Sequence, residues 1–307
     1  MNLPKKVTIV EVGPRDGFQS IKEWIPTDLK LYIIEKLIEA NFQKIEITSF
    51  VSPKAIAQMK DAKEIVSFLL KKYKDKQEIF HALVPNLYGA KAAYEAGLKE
   101  ITYVISASVS HNRANVRRSR EESFKELKEI KTIFPKLKVK FAIATVFGCP
   151  YEGDIKIEEV KWMIQNALDI GVDEFCLADT IGVANPLQIE NVLSELGTTF
   201  KDINFSLHLH DTRGMGLANV LAALNQGITQ FESAVGGLGG CPFAPGAAGN
   251  IASEDLINML EKMQIQTNIK LDTLLSIIPI VKEKIKPILT SHLAYADMQC
   301  KTGEKNG

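Results

Sequence analysis

Strand-like apolar runs alternate with helical stretches eight times in about 260 residues, and that alternation limits what this chain can fold into. The runs fall at residues 6–12, 44–49, 78–84, 100–107, 138–146, 173–178, 203–212 and 229–234. The helical stretches fall at 27–41, 55–73 (in one or two pieces), 87–96, 121–134, 157–170, 186–196, 217–225 and 251–263. In the first of these, Leu29, Ile33, Leu37 and Ala40 make one apolar stripe, with Thr27 placed to cap it. Gly97, Gly171 and Gly227 follow helical stretches, where a glycine relieves the turn out of a helix. Eight such pairs fit an α/β fold, a closed (β/α)8 TIM barrel. An open doubly wound sheet is the alternative, but no Gly-x-Gly-x-x-Gly follows the first strand. The barrel is expected over residues 1–268. A short C-terminal helical extension and tail, 269–307, would hold a helix near 272–283 and another after Pro287.

Charge excludes some partners. Lys plus Arg and Asp plus Glu each number 37, so nothing global attracts nucleic acid or a membrane surface. No apolar run approaches 18 residues, so no membrane span is expected. The N-terminal residues run straight into a strand, so no signal or transit peptide is expected. Four cysteines, 149, 176, 241 and 300, lack disulfide or metal spacing, which suits a reducing, cytoplasmic setting.

In such a barrel, chemistry gathers at the C-terminal ends of the strands. His208 and His210 share one face of the seventh strand, because strand side chains repeat with period two. They can be satisfied by neighbouring carbonyls, line a phosphate site, or ligate a metal. Asp16 follows the first strand and can brace its turn. Asn250 precedes the eighth helix and can cap it. Together Asp16, His208, His210 and Asn250 make a mixed oxygen and nitrogen set for a divalent ion, with Mg²⁺ or Mn²⁺ favoured. Glu46 points into the barrel and needs a partner, for which Arg15 is suited. Asp179 ends the sixth strand and is either a turn aspartate or an acid–base group. Glu254 lies one helical turn beyond Asn250. The stretch from Gly236 to Asn250 holds six glycines and two prolines in fifteen residues, with Cys241 inside it. Such a loop can close over a substrate and bring a thiol to it as acid, base or nucleophile. Residues 111–120 carry four arginines, either a solvated face or a landing site for an anionic tail.

Several of these stretches resemble one known family. Residues 11–17 (EVGPRDG), 47–53 (ITSFVSP), 148–153 (GCPYEG), 177–182 (LADTIG), 208–212 (HLHDT) and 237–242 (GLGGCP), through Asn250, are similar to the metal-dependent hydroxymethylglutaryl-CoA lyases. The cysteine-bearing glycine loop is the specific part of that resemblance. It implies cleavage of 3-hydroxy-3-methylglutaryl-CoA to acetyl-CoA and acetoacetate with Mg²⁺ or Mn²⁺ bound. It also implies that Asp16, His208, His210 and Asn250 ligate the metal. Arg15 is implied to stabilise the thioester enolate and Cys241 to protonate it. The resemblance further implies that Glu46, Asp179 and Glu254 support the site, with Asp179 favoured among them as the proton handler. A homodimer or higher homo-oligomer acting on an acyl-CoA is expected, with no nucleic-acid or membrane partner. Phe18, Ser20 and Arg213 depart from the family pattern near the acyl and CoA sites. They leave open a related 3-hydroxy-3-alkylglutaryl-CoA, or an acetyl-CoA-dependent condensation.

Overall fold

The computed structural model describes residues 3–240, 249–286 and 289–296. Eight parallel strands close on one another in chain order. They are β1 (Thr8–Glu11), β2 (Lys44–Ser49), β3 (Phe80–Val84), β4 (Glu100–Ser106), β5 (Lys138–Ala144), β6 (Glu174–Asp179), β7 (Phe205–Leu209) and β8 (Gln230–Ser233). The seam is the β1–β8 pair, in register from Thr8↔Gln230 to Glu11↔Ser233. Ile101, Ile105, Val139, Phe141 and Ile143 are fully buried strand residues of this ring. Strands covered on both faces read as near-continuous apolar runs, which is why the strand pattern shows in the sequence.

The intervening helices are α1 (Thr27–Glu39), α2 (Ala62–Lys72), α3 (Leu87–Glu95), α4 (Val109–Val116), α5 (Arg120–Ile133), α6 (Ile157–Ile170), α7 (Pro186–Thr199), α8 (Gly216–Asn225) and α9 (Ser253–Lys262). Helix α6 shows the logic of the set. Val160, Met163, Ile164 and Ala167 recur on one face and are buried, and Gly171 ends the helix at φ 81°. Ser119 and Glu122 form a reciprocal cap on α5.

Three local expectations change. Helix α4 lies in a polar stretch where the sequence pattern placed no helix. It has no apolar stripe to announce it, and its cap, Ser108 accepting from His111 N–H, is its one sequence signal. The helix expected near 272–283 is two helices, α10 (Leu271–Leu275) and α11 (Ile278–Lys284). Pro279 sits in the first turn of α11, where a missing N–H is tolerated, so the chain breaks just before it. Thr27 is the first residue of α1 and makes no side-chain cap there. Residues 292–296 form a further helical turn after Pro287. Leu274, Ile277, Val281 and Leu289 of the extension join the same apolar cluster as the barrel. Among the described residues no helix is long and apolar enough to cross a membrane.

Candidate active site and metal centre

The site forms at the C-terminal ends of the strands beside the seam. Beyond β1 the chain makes a wide helical turn over Gly13–Gly17, with Asp16 N–H bonded to Val12 O at 2.7 Å. That turn buries Arg15 and Asp16. Gly17 packs so closely that a Cβ there would lie 2.7 Å from Leu238 Cβ. His208 lies on β7 and His210 directly after it, with their Nε2 atoms 3.1 Å apart. Asp16, His208 and His210 each present one donor atom, and these atoms all lie within 4.8 Å of one another. Asn250 bridges to His210 across an antiparallel backbone contact. Its amide nitrogen donates to Asp16 Oδ2 at 2.6 Å and Leu238 O at 3.0 Å. Asn250 is therefore not a helix cap, since α9 starts at Ser253 with Ala252 before it.

These residues fit a divalent ion. Asn250 Oδ1 is buried and has no hydrogen-bond partner among the described residues, a costly arrangement for an acceptor. His208 Nδ1 is 2.8 Å from Glu232 Oε2, a contact that fixes the ring with Nε2 facing the site, 3.1 Å from His210 Nε2. Burial first, then the neighbouring His208 charge, pushes His210 down to about 4, so its ring is neutral and its lone pair available. Burial opposes ionisation of Asp16, but Arg15 and then the two histidines outweigh it and bring the carboxyl to about 2.

A second tier of charge lies beneath. Arg15 donates from Nε to Glu46 Oε2 and from Nη1 to Asp16 Oδ1, which places the expected Arg15–Glu46 pair. Burial works against the Arg15 charge, yet Glu46 and Asp16 overcome it and raise its pKa. Lys140 Nζ reaches Glu232 Oε1 at 2.5 Å and His81 Nε2 at 3.2 Å. Lys140 and Glu232 did not stand out in the sequence reading. Their signal was a charged residue inside an otherwise apolar strand, which demands a buried partner.

Asp179 ends β6 with both oxygens engaged, by Val183 N–H and Ala184 N–H, each at 3.0 Å. Burial raises its pKa. Glu254 is buried with its carboxylate accepting from Gly236 N–H at 3.1 Å. It thus sits at the root of the glycine loop. Cys241 lies outside the described residues. Cys176 is buried, and burial pushes its thiol up. Of the four arginines, Arg118 pairs with Glu126, and Arg120 pairs with Glu159 at 2.7 Å while stacking on Trp162. Arg113 and Arg117 are exposed on and just beyond α4.

With this geometry in place, comparison with known proteins gives a consistent result. The HMGL-like family matches residues 6–281. A hydroxymethylglutaryl-CoA lyase of Bacillus subtilis is 45% identical over 296 residues, 95% of this chain and 98% of that protein. An (R)-citramalyl-CoA lyase of Chloroflexus aurantiacus is 39% identical over 279 residues, 88% of each. The structure of an HMG-CoA lyase from Acinetobacter baumannii with coenzyme A and 3-methylmalate is 42% identical. It superposes with a TM-score of 0.88 and covers 95% of both chains. The chain belongs to the HMGL-like family.

Proposed function

We propose that this protein is a divalent-metal-dependent carbon–carbon lyase that cleaves 3-hydroxy-3-methylglutaryl-CoA into acetyl-CoA and acetoacetate. The observation that carries the reading is the convergence of Asp16, His208 and His210 with the orphaned Asn250 oxygen, directly against Arg15. Asp16, His208, His210 and Asn250 would hold Mg²⁺ or Mn²⁺. That ion supplies Lewis acidity toward the oxygens of a 3-hydroxy acyl group.

The chain's own residues do the rest. Cleavage of the C2–C3 bond takes the proton from the 3-hydroxyl and leaves C3 as a ketone, while the bonding pair passes to C2 of the thioester. Asp179 accepts the hydroxyl proton; its two backbone N–H bonds fix the carboxylate orientation, and its raised pKa suits a proton acceptor. Arg15 uses two of its five N–H groups on Glu46 and Asp16, so the guanidinium plane is locked while others remain to stabilise the thioester enolate oxygen. Glu46 positions Arg15, and Glu254 positions the root of the glycine loop. Cys241, by its place in that loop, returns a proton to C2 and completes acetyl-CoA. Arg113 and Arg117 receive the anionic end of the acyl-CoA. The working enzyme is cytoplasmic and a homodimer or higher homo-oligomer, and the free thiols of Cys149 and Cys176 accord with a reducing compartment. Substrates with another 3-substituent form a second reading, favoured by the similarity to the citramalyl-CoA lyase.

One experiment tests both readings. Purified parent and Cys241→Ser are given Mg²⁺ and a panel of 3-hydroxy-3-alkylglutaryl-CoA and citramalyl-CoA thioesters, with both products followed by mass spectrometry. Acetyl-CoA and acetoacetate should form from the methyl compound, and Cys241→Ser should cut kcat at least about 100-fold. Failure of the parent to release acetyl-CoA from any thioester rejects the lyase. Parental kcat in Cys241→Ser removes the thiol from the mechanism.

A further inference from the structure

The turn after β8, residues 235–240, is gripped on two sides by different chemistry. On its inner side, amides are taken by buried carboxylates. Val235 N–H donates to Glu11 Oε1 at 2.9 Å and Gly236 N–H to both oxygens of Glu254 at 3.1 Å. On its outer side, carbonyls are taken by the C-terminal extension. Thr290 N–H donates to Gly236 O at 3.3 Å, Thr290 Oγ1 to Gly237 O at 3.2 Å, and Lys286 Nζ to Gly239 O at 3.4 Å. Leu289 closes the remaining gap, since a Cβ on Gly236 would lie 3.2 Å from its Cδ2.

The outer segment is itself fastened at one point, Asp255 of α9. Its Oδ1 accepts from Ser291 Oγ at 3.1 Å and Leu293 N–H at 2.7 Å, and its Oδ2 from His292 N–H at 2.8 Å. Three donors on one buried carboxylate make a rigid attachment. On the other side of the turn lie the proposed metal ligands. Leu238 O accepts from the Asn250 amide, Leu238 packs on Gly17, and a Cβ on Gly239 would lie 2.6 Å from Asn250 Nδ2.

We infer that Lys286 and residues 289–293 act as a strap, fastened by Asp255, that positions the turn at residues 236–239 and through it the Asn250 oxygen. Thr290 and Asp255 are positioning residues for the metal centre and need touch neither metal nor substrate. The inference rests on the lyase reading only for its effect on turnover. A flexible glycine turn next to a ligand needs such an external frame, because a run containing four glycines within five residues, 236–240, has little rigidity of its own.

The test compares parent, Thr290→Val, Thr290→Ser and Asp255→Asn. Thr290→Val keeps the shape and removes one donor, Thr290→Ser keeps the hydroxyl, and Asp255→Asn sets an amide N–H₂ against one of the strap's donors. Hydrogen exchange of residues 235–240 in metal-free protein should rise about tenfold in Thr290→Val and Asp255→Asn, while β4 and β5 stay at parental rates. Mn²⁺ affinity should weaken about tenfold in the same two variants, and Thr290→Ser should restore both. On the true substrate, kcat should fall with KM nearly unchanged. Parental exchange at 235–240 in both variants overturns the strap, and raised exchange with parental Mn²⁺ affinity overturns its link to Asn250. A parent that turns over nothing on the thioester panel rejects the lyase reading and leaves the exchange and Mn²⁺ results to decide the strap.

Discussion

Two groups of carboxylates are buried at the same end of this barrel and are neutralised in opposite ways. Asp16 and Glu232 face cations: Asp16 meets Arg15, and Glu232 meets Lys140 at 2.5 Å. Burial would raise both carboxyls, but Arg15 and Lys140 overcome it, leaving Asp16 at about 2 and Glu232 well below its usual value. Glu11 accepts from Gly13 N–H, Val235 N–H and Ser253 Oγ, Glu254 accepts from Gly236 N–H, and each also has a neighbouring carboxylate, Glu254 beside Glu11 and Asp255 beside Glu254. Here burial prevails and raises Glu11 to about 8 and Glu254 to about 7. The difference teaches that hydrogen bonds alone seat a buried carboxyl, whereas a cation is needed to keep it charged. The first group holds a permanent charge pattern beside the proposed metal site. The second holds a loop root whose charge depends on pH.

The largest effect should come from breaking the first group at its reacting edge. Arg15→Lys keeps the charge and loses the fork that meets Glu46 and Asp16 together. Its kcat should fall about 100-fold or more, the scale for a donor that acts on developing charge. Steady-state kinetics decides: a parental kcat with only a raised KM makes Arg15 a binding group.

Removing a deeper cation should act on stability. Lys140→Met leaves Glu232 buried without its main partner and should cost about 3–5 kcal/mol. Urea unfolding at neutral pH measures it. The double variant Lys140→Met, Glu232→Gln should recover much of the loss, and a double variant as unstable as the single one shows that packing, not charge, sets the effect.

The smallest effect sharpens the second group. A carboxyl with its folded pKa above its unfolded one holds its proton longer in the folded state, so its stabilising contribution is full below pH about 4.5. It is lost as pH rises toward the folded value, about 7 for Glu254. Glu254→Gln cannot lose a proton. Its melting temperature should therefore fall less than the parent's between pH 5 and pH 8. Parallel curves for the two proteins would show that Glu254 ionises normally.

Much of this was legible in the sequence for physical reasons. The parallel barrel showed because doubly covered strands must be apolar, and strand β2 was delimited at Lys44–Ser49 as observed. His208 and His210 showed because period two is strict. Arg15 and Glu46 showed because a lone inward carboxylate requires a cation. Helix α4 did not show, because a helix carrying no apolar stripe leaves only its cap as a signal. The strap could not show either. Asp255 and the backbone of residues 292 and 293 are joined by folding, and backbone donors leave no mark in residue identity. Asn250 as a cap was a sound local reading, overruled when its bridge to His210 delayed the helix to Ser253.

The barrel's seam has a consequence for how the protein comes to be. Asp16 follows the first strand and Asn250 the last, and their side chains meet at 2.6 Å across 234 residues of chain. An ion held there, as proposed above, would tie the two ends of the fold together, because the pocket exists only once β8 has docked on β1. During synthesis the ribosome must release nearly the whole barrel before the ligand from the first turn finds its partner. Such long-range closure is slow to form. A ligand that recognises only the closed state then draws the population toward it by mass action. Metal supply should therefore govern how much of this protein survives in a cell as well as how fast it works.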